Sequence, residues 1–134
     1  MRVMGHNALA IFVAALAIYL IGFVIYALLI PQDAYMAMAN IDPVEAEAQG
    51  WKMALGPVPT ILVAIGLSVL LKWKGAAGWR AGLTVGLIAA IFLMIGQRLY
   101  GYVYSTEGAD LLMIDSAYAV LSGAVGGAIL GAWR

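Results

Sequence analysis

Apolar residues fall into four long stretches, at about residues 8–30, 53–71, 81–104 and 111–133. Each covers about 19–24 residues, close to the ~20 that an α-helix needs to cross ~30 Å of hydrocarbon. Polar residues collect in the short segments between them. The pattern predicts one all-α integral membrane domain over 1–134, a four-transmembrane-helix antiparallel bundle. The connection over 105–110 is short, which makes the third and fourth helices antiparallel neighbours. The longer connection, 31–51, carries a helix signal of its own. Asp42-Pro43-Val44-Glu45 supplies an N-cap acceptor, a proline at the first helical position and a capping-box-like glutamate, and Gly50 suits a stop. A short surface helix is therefore expected after the first span. Tyr35, Met36, Met38, Ile41 and Trp51 are expected at the lipid interface, where Trp and Tyr are favoured.

Composition strengthens the membrane reading. The chain has 134 residues, 65% of them hydrophobic and 10% charged, with a mean hydropathy of +0.99. A soluble domain of this size cannot hide so much apolar surface, because small domains bury too small a fraction of their area. Ala37-Met38-Ala39 offers signal-peptidase-like spacing, but the first apolar run is too long for a typical signal sequence, so a retained first helix is expected. The absence of cysteine excludes disulfides, thiolate catalysis and cysteine metal sites. A single histidine, His6, leaves no bis-histidine haem site within one subunit.

Charge sets the orientation. Arg2, Lys72, Lys74, Arg80 and Arg134 all fall on one side of the four spans, whereas Lys52 is the one lysine or arginine near the other side's loops. Cytoplasmic loops are enriched in lysine and arginine, so both termini are expected inside, N-in and C-in, in the inner membrane of a bacterium. The short helix is then periplasmic. Asp33, Asp42, Glu45, Glu47, Glu107 and Asp110 make the outer side acidic. That charge reads as a solvated cap, with a recognition surface for a basic partner as the alternative. Met36, Met38 and Met53 hint at copper(I), but with no histidine or cysteine beside them they read as interfacial packing, and no metal site is assigned.

In lipid, helices associate through small residues and polar contacts. Gly78, Gly82 and Gly86 repeat every four residues on the third helix, and Gly123, Gly127 and Gly131 do so on the fourth. These glycine zippers lie at similar depths, so near backbone-to-backbone contact is expected between the two inner halves, or else a subunit interface. The outer halves carry Arg98 and Asp115, within about 3 Å of the same depth by the helical rise. Intramembrane charge is costly and faces a partner or a cavity. Tyr118 and Ser122 share the Asp115 face of the fourth helix. Gln97, Tyr100 and Tyr104 crowd the outer end of the third helix, and Tyr19, Gly22 and Tyr26 come from the first. An intramembrane polar cluster of Arg98, Asp115, Tyr118, Gln97 and Tyr26 follows. Arg98–Asp115 is read first as a structural ion pair, then as a functional anion, proton or lipid-headgroup site, with independent snorkelling of Arg98 as a third option.

Gly22-Phe23-Val24-Ile25-Tyr26, continuing through Pro31 to Tyr35-Met36 and Ile41, resembles a family of small bacterial four-helix membrane proteins. So do Ile114-Asp115-Ser116-Ala117-Tyr118 and the ending Gly126-Gly127-Ala128-Ile129-Leu130-Gly131-Ala132-Trp133-Arg134. The family is catalogued as domain of unknown function seventeen-sixty-one. The resemblance implies four spans and supplies no activity, substrate or cofactor.

Three function classes compete. A structural or accessory subunit, assembling with itself or with a larger membrane complex, fits the glycine repeats, the short loops and the lack of catalytic groups. An oligomeric small-solute or anion transporter or channel would use the Arg98–Asp115 pair. An enzyme would need a positioned nucleophile, acid–base pair or metal, and Asp115 with Tyr118 is its only constellation, so the chain is expected not to be one. No cofactor or nucleic-acid partner is indicated. The lipid bilayer is the expected environment, and a lipid or pigment could bind to the surface.

Overall fold

A computed structural model describes residues 2–3 and 5–133, with side chains from Gly5 to Trp133. Arg134, counted above among the basic residues of one side, lies outside the described residues, as does the side chain of Arg2. Four helices are long and apolar enough to span a membrane: α1 (Ala8–Leu29), α4 (Gly50–Lys74), α5 (Trp79–Tyr104) and α6 (Ala109–Ala132). Two short helices, α2 (Gln32–Met38) and α3 (Pro43–Ala48), fill the longer connection. A two-residue strand pair precedes α1, β1 (Arg2–Val3) against β2 (His6–Asn7), turning at Gly5 with φ +80°.

Local chemistry sets the ends. Asn7 caps α1, its Oδ1 accepting the Ala10 N–H at 3.2 Å, while its Nδ2 donates to the Trp133 carbonyl at 3.0 Å. One side chain thus ties the start of the first span to the end of the last. Asp42 caps α3 by accepting the Val44 N–H at 2.8 Å, with Pro43 in the first turn where no amide hydrogen is needed. The second span begins earlier than its apolar run, because a 3₁₀ segment (Gly50–Leu55) leads into Pro57. The two prolines cannot donate to that segment's carbonyls. Instead the Gly56 N–H reaches the Met53 carbonyl at 3.0 Å, and the Thr60 hydroxyl donates to the Pro57 carbonyl at 2.8 Å. At the far end Gly75, φ +68°, closes the helix in the left-handed region that favours glycine.

α6 is the hub of the bundle, touching α1, α4 and α5. Small residues on α1 (Ala10, Ala14, Ala15) let it close on Ala64 and Leu67 of α4, and Ile18 fills the space above Gly126 of α6. A Cβ at Gly126 would sit 2.9 Å from the Ile18 Cδ1. Against α5 the approach is closer still. A Cβ on Gly82 would run into the Gly127 carbonyl oxygen, one on Gly86 into that of Gly123, and one on Gly131 would lie 2.8 Å from the Gly82 Cα. Gly78 enters this contact through its backbone alone: a Cβ on Gly131 would lie 2.6 Å from the Gly78 carbonyl oxygen, whereas a Cβ on Gly78 itself would meet nothing within 4 Å. It stands ahead of the helix at φ +89°, and its N–H donates to the Gly131 carbonyl at 2.9 Å. Glycine here serves a left-handed turn as well as the close approach of the two backbones.

In the most apolar 18-residue stretch of each span only 22% to 28% is buried inside the protein, which leaves large apolar side chains facing outward in need of lipid or a partner. Trp73, Trp79 and Trp133 are exposed at the basic end, which holds Lys72, Lys74 and Arg80; Trp51, Tyr100 and Tyr104 are exposed at the acidic end.

Candidate functional site

Beneath the acidic end, four elements converge on Asp115. It stands six residues into α6, about 9 Å from the helix start by the 1.5 Å rise. Its Oδ2 accepts from the Arg98 Nε, and its Oδ1 accepts from the Tyr26 hydroxyl. Arg98 Nη2 forms a second ion pair, to Glu107 in the loop between α5 and α6. The Glu107 Oε2 is buried, and Arg98 is its charge partner. The three ionic side chains are partly withdrawn from the surface, with exposures of 24%, 21% and 28% for Arg98, Asp115 and Glu107. Such charge-assisted contacts are the stronger kind and matter more where water is scarce.

Aromatic rings wall the site. Tyr26 meets Tyr118 edge-on at 5.6 Å and Tyr35 edge-on at 5.8 Å. Gly22 gives Tyr118 its place, since a Cβ there would lie 3.2 Å from the ring. Gly101 leaves room for the guanidinium, since a Cβ there would lie 3.1 Å from the Arg98 Nη1. Burial raises the Tyr35 phenol above its usual range, with Asp115 adding to the rise and Arg98 opposing it. Tyr35 is therefore neutral at physiological pH. The loop after α2 is pinned over the site. Asn40, in the left-handed region at φ 52°, donates through its Nδ2 to the Thr106 carbonyl at 2.7 Å.

Two recesses meet at Asp115. A cleft of about 600 Å³ opens between α1, the short helices and the start of α4, lined by Phe23, Tyr26, Tyr35, Met36, Met53 and Asp115 among others. On the far side of Tyr26 lies a shallower recess of about 300 Å³ between Met94, Arg98, Tyr118 and Ala119.

The structure thus brings Arg98, Asp115, Tyr26 and Tyr118 together. Gln97 is not with them: it is exposed, and no hydrogen bond or ion pair joins it to the cluster among the described residues. The cause is a π turn (Ala90–Ile95) in α5, whose extra residue rotates everything after it. A second π turn (Val24–Leu29) carries Tyr26. Tyr35, expected at the lipid interface, is half-buried against Tyr26. Glu107 was counted only as loop charge. No periodic signal marks it, although a nine-residue step from Arg98 across a tight loop was available as a clue. Met36 and Met53, expected at the lipid interface or in packing, line the cleft.

No curated protein and no solved structure matches the chain. Its sequence does match a protein family across residues 9–131, which reaches into all four spans and includes every residue of the site. The chain belongs to the family described as Protein of unknown function (DUF1761).

Proposed function

We propose that this is a small structural or accessory protein of the bacterial inner membrane, an antiparallel four-helix bundle with both termini inside, which assembles with itself or with a larger membrane complex. The observation that carries this reading is the double pairing of Arg98. Its guanidinium is engaged by Asp115 and Glu107, and Asp115 is engaged in turn by Tyr26, so α1, α5, α6 and the outer loop are clasped together. A clasp of this kind fixes a fold. It leaves the apolar helix faces as the surfaces available for assembly, among them a groove of about 420 Å³ lined by Leu70, Trp73, Val85, Ile88 and Phe92. The zipper reading of Gly82, Gly86, Gly123 and Gly127 belongs with this proposal as the seam inside one subunit. Transport of an anion gains less support, because Arg98 already faces two carboxylates and the cluster carries surplus negative charge.

Two measurements test the proposal. Native mass after gentle extraction should give a homo-oligomer or a complex of fixed stoichiometry; a bare monomer under conditions that preserve other complexes refutes assembly. Double-mutant cycles of Arg98→Ala with Asp115→Asn and with Glu107→Gln should each show coupling of at least about 0.5 kcal/mol. Additive effects would refute the clasp.

A further inference from the structure

We propose that the cleft beside Asp115 is a binding site for a membrane lipid with a primary ammonium headgroup, an aminophospholipid of the surrounding bilayer. Its size comes first. About 600 Å³ lies within the usual range of small-ligand sites, roughly 300–1,000 Å³, and holds a headgroup with the upper part of its chains rather than a whole lipid. The walls have the two-sided chemistry of an amphiphile. Phe23, Ile30, Met36 and Met53 are apolar, whereas Asp115 and the tyrosines converge at one end.

Charge then selects the headgroup. Arg98 contributes one positive charge against the negative charges of Asp115 and Glu107, which leaves the cluster with one in surplus. A carboxylate has about four acceptor positions, and Asp115 uses one on each oxygen, so it can still take donors from the cleft side. A primary ammonium brings three donors and no acceptor, which suits a carboxylate flanked by the Tyr26 and Tyr35 side chains in the cleft lining. A quaternary ammonium has no N–H to give, and an anionic headgroup meets surplus charge of its own sign. Placement identifies the bilayer as the source. Ile30 and Gln32 follow directly on the end of α1, and Met53 lies in the first turns of α4, so the cleft opens at headgroup level with its apolar wall running down α1. Gln32, at the rim, has an amide that can donate to the lipid phosphate. This site requires no protein partner.

The test is native mass spectrometry of the full chain in mild detergent, with phosphatidylethanolamine, phosphatidylglycerol and phosphatidylcholine of identical acyl chains supplied in equal amounts. Retention of the ethanolamine lipid should exceed that of the other two by about tenfold or more. Ala27→Trp places an indole in the cleft from an exposed position outside the clasp; it should lower ethanolamine-lipid retention by about tenfold while the melting temperature stays near wild type. Asp115→Asn should abolish the preference for ethanolamine over choline. Should that variant fail to fold, Ala27→Trp still decides. Equal retention of the three lipids overturns the proposal. So does unchanged retention in a folded Ala27→Trp protein, or binding of dodecylamine with no retention of the ethanolamine lipid.

Discussion

Adding a single methyl group at Gly86 should separate α5 from α6. The Cβ of an alanine there would overlap the Gly123 carbonyl oxygen and sit 2.7 Å from its carbonyl carbon and 3.2 Å from the Gly127 Cα. Carbon atoms rest about 3.5–4.0 Å apart, so the two backbones must part by about 1 Å. The obstacle is backbone held in helical hydrogen bonds, not the end of a flexible side chain, and it cannot yield alone. Parting the helices also loosens Gly82 against Gly127 and Gly131, where a gap of 0.5–1 Å forfeits about a quarter to a half of the attraction. Overpacking of this kind costs about 1–3 kcal/mol. The reference is Gly66→Ala on α4, where a Cβ meets nothing within 4 Å. There the helix gains about 0.5–1 kcal/mol from the lost flexibility of glycine. Unfolding by sodium dodecyl sulfate titration, followed by helicity, should therefore move the two variants in opposite directions. The double variant Gly86→Ala/Gly123→Ala should fall short of the sum of its parts, because both changes open the same gap. Equal stability of Gly86→Ala and Gly66→Ala would refute the close approach.

Two further perturbations address the polar cluster. Tyr26→Phe keeps both ring contacts but removes the donor to Asp115 Oδ1, and should cost about 0.6–1.7 kcal/mol in the same titration, the range for hydrogen bonds between membrane helices; no loss would mean that this bond contributes nothing to the clasp. For Tyr35, a phenol whose folded-state pKa is raised holds its proton more tightly than in the unfolded chain. Its contribution is present in full below the unfolded value of about 10 and is lost as pH rises through the folded value. Wild type should lose more stability than Tyr35→Phe between about pH 8 and about pH 11, and identical alkaline losses would exclude the effect.

How much of this could be read from the chain depends on which physical rule governs each feature. Spans are legible because length and apolarity alone define them. Their ends are less so: Trp51 and Lys52 look like loop, yet they continue the helix because the 3₁₀ segment supplies the carbonyl partners that Pro57 removes. Arg98 and Asp115 could be matched in depth because helical rise is fixed. Glu107 could not, since a loop acid beside solvent has no periodicity to betray it. Azimuth was the harder quantity. The inward face of α5 runs through Gly82, Gly86 and Ala90, whose Cβ lies against Gly123. Continued at 3.6 residues per turn, that face would pass next through Leu93, Gln97 and Tyr100. All three are exposed. The π turn over Ala90–Ile95 takes up one extra residue, which advances the face to Met94, Arg98 and Gly101. Without that turn the guanidinium would point about 100° away from Asp115. A π turn has no sequence signature, and its stability rests on the contacts it permits. The charge pair and the distorted helix therefore account for each other: Arg98 can reach both carboxylates because the helix is overwide by one residue, and the helix stays overwide because Arg98 is then paired twice.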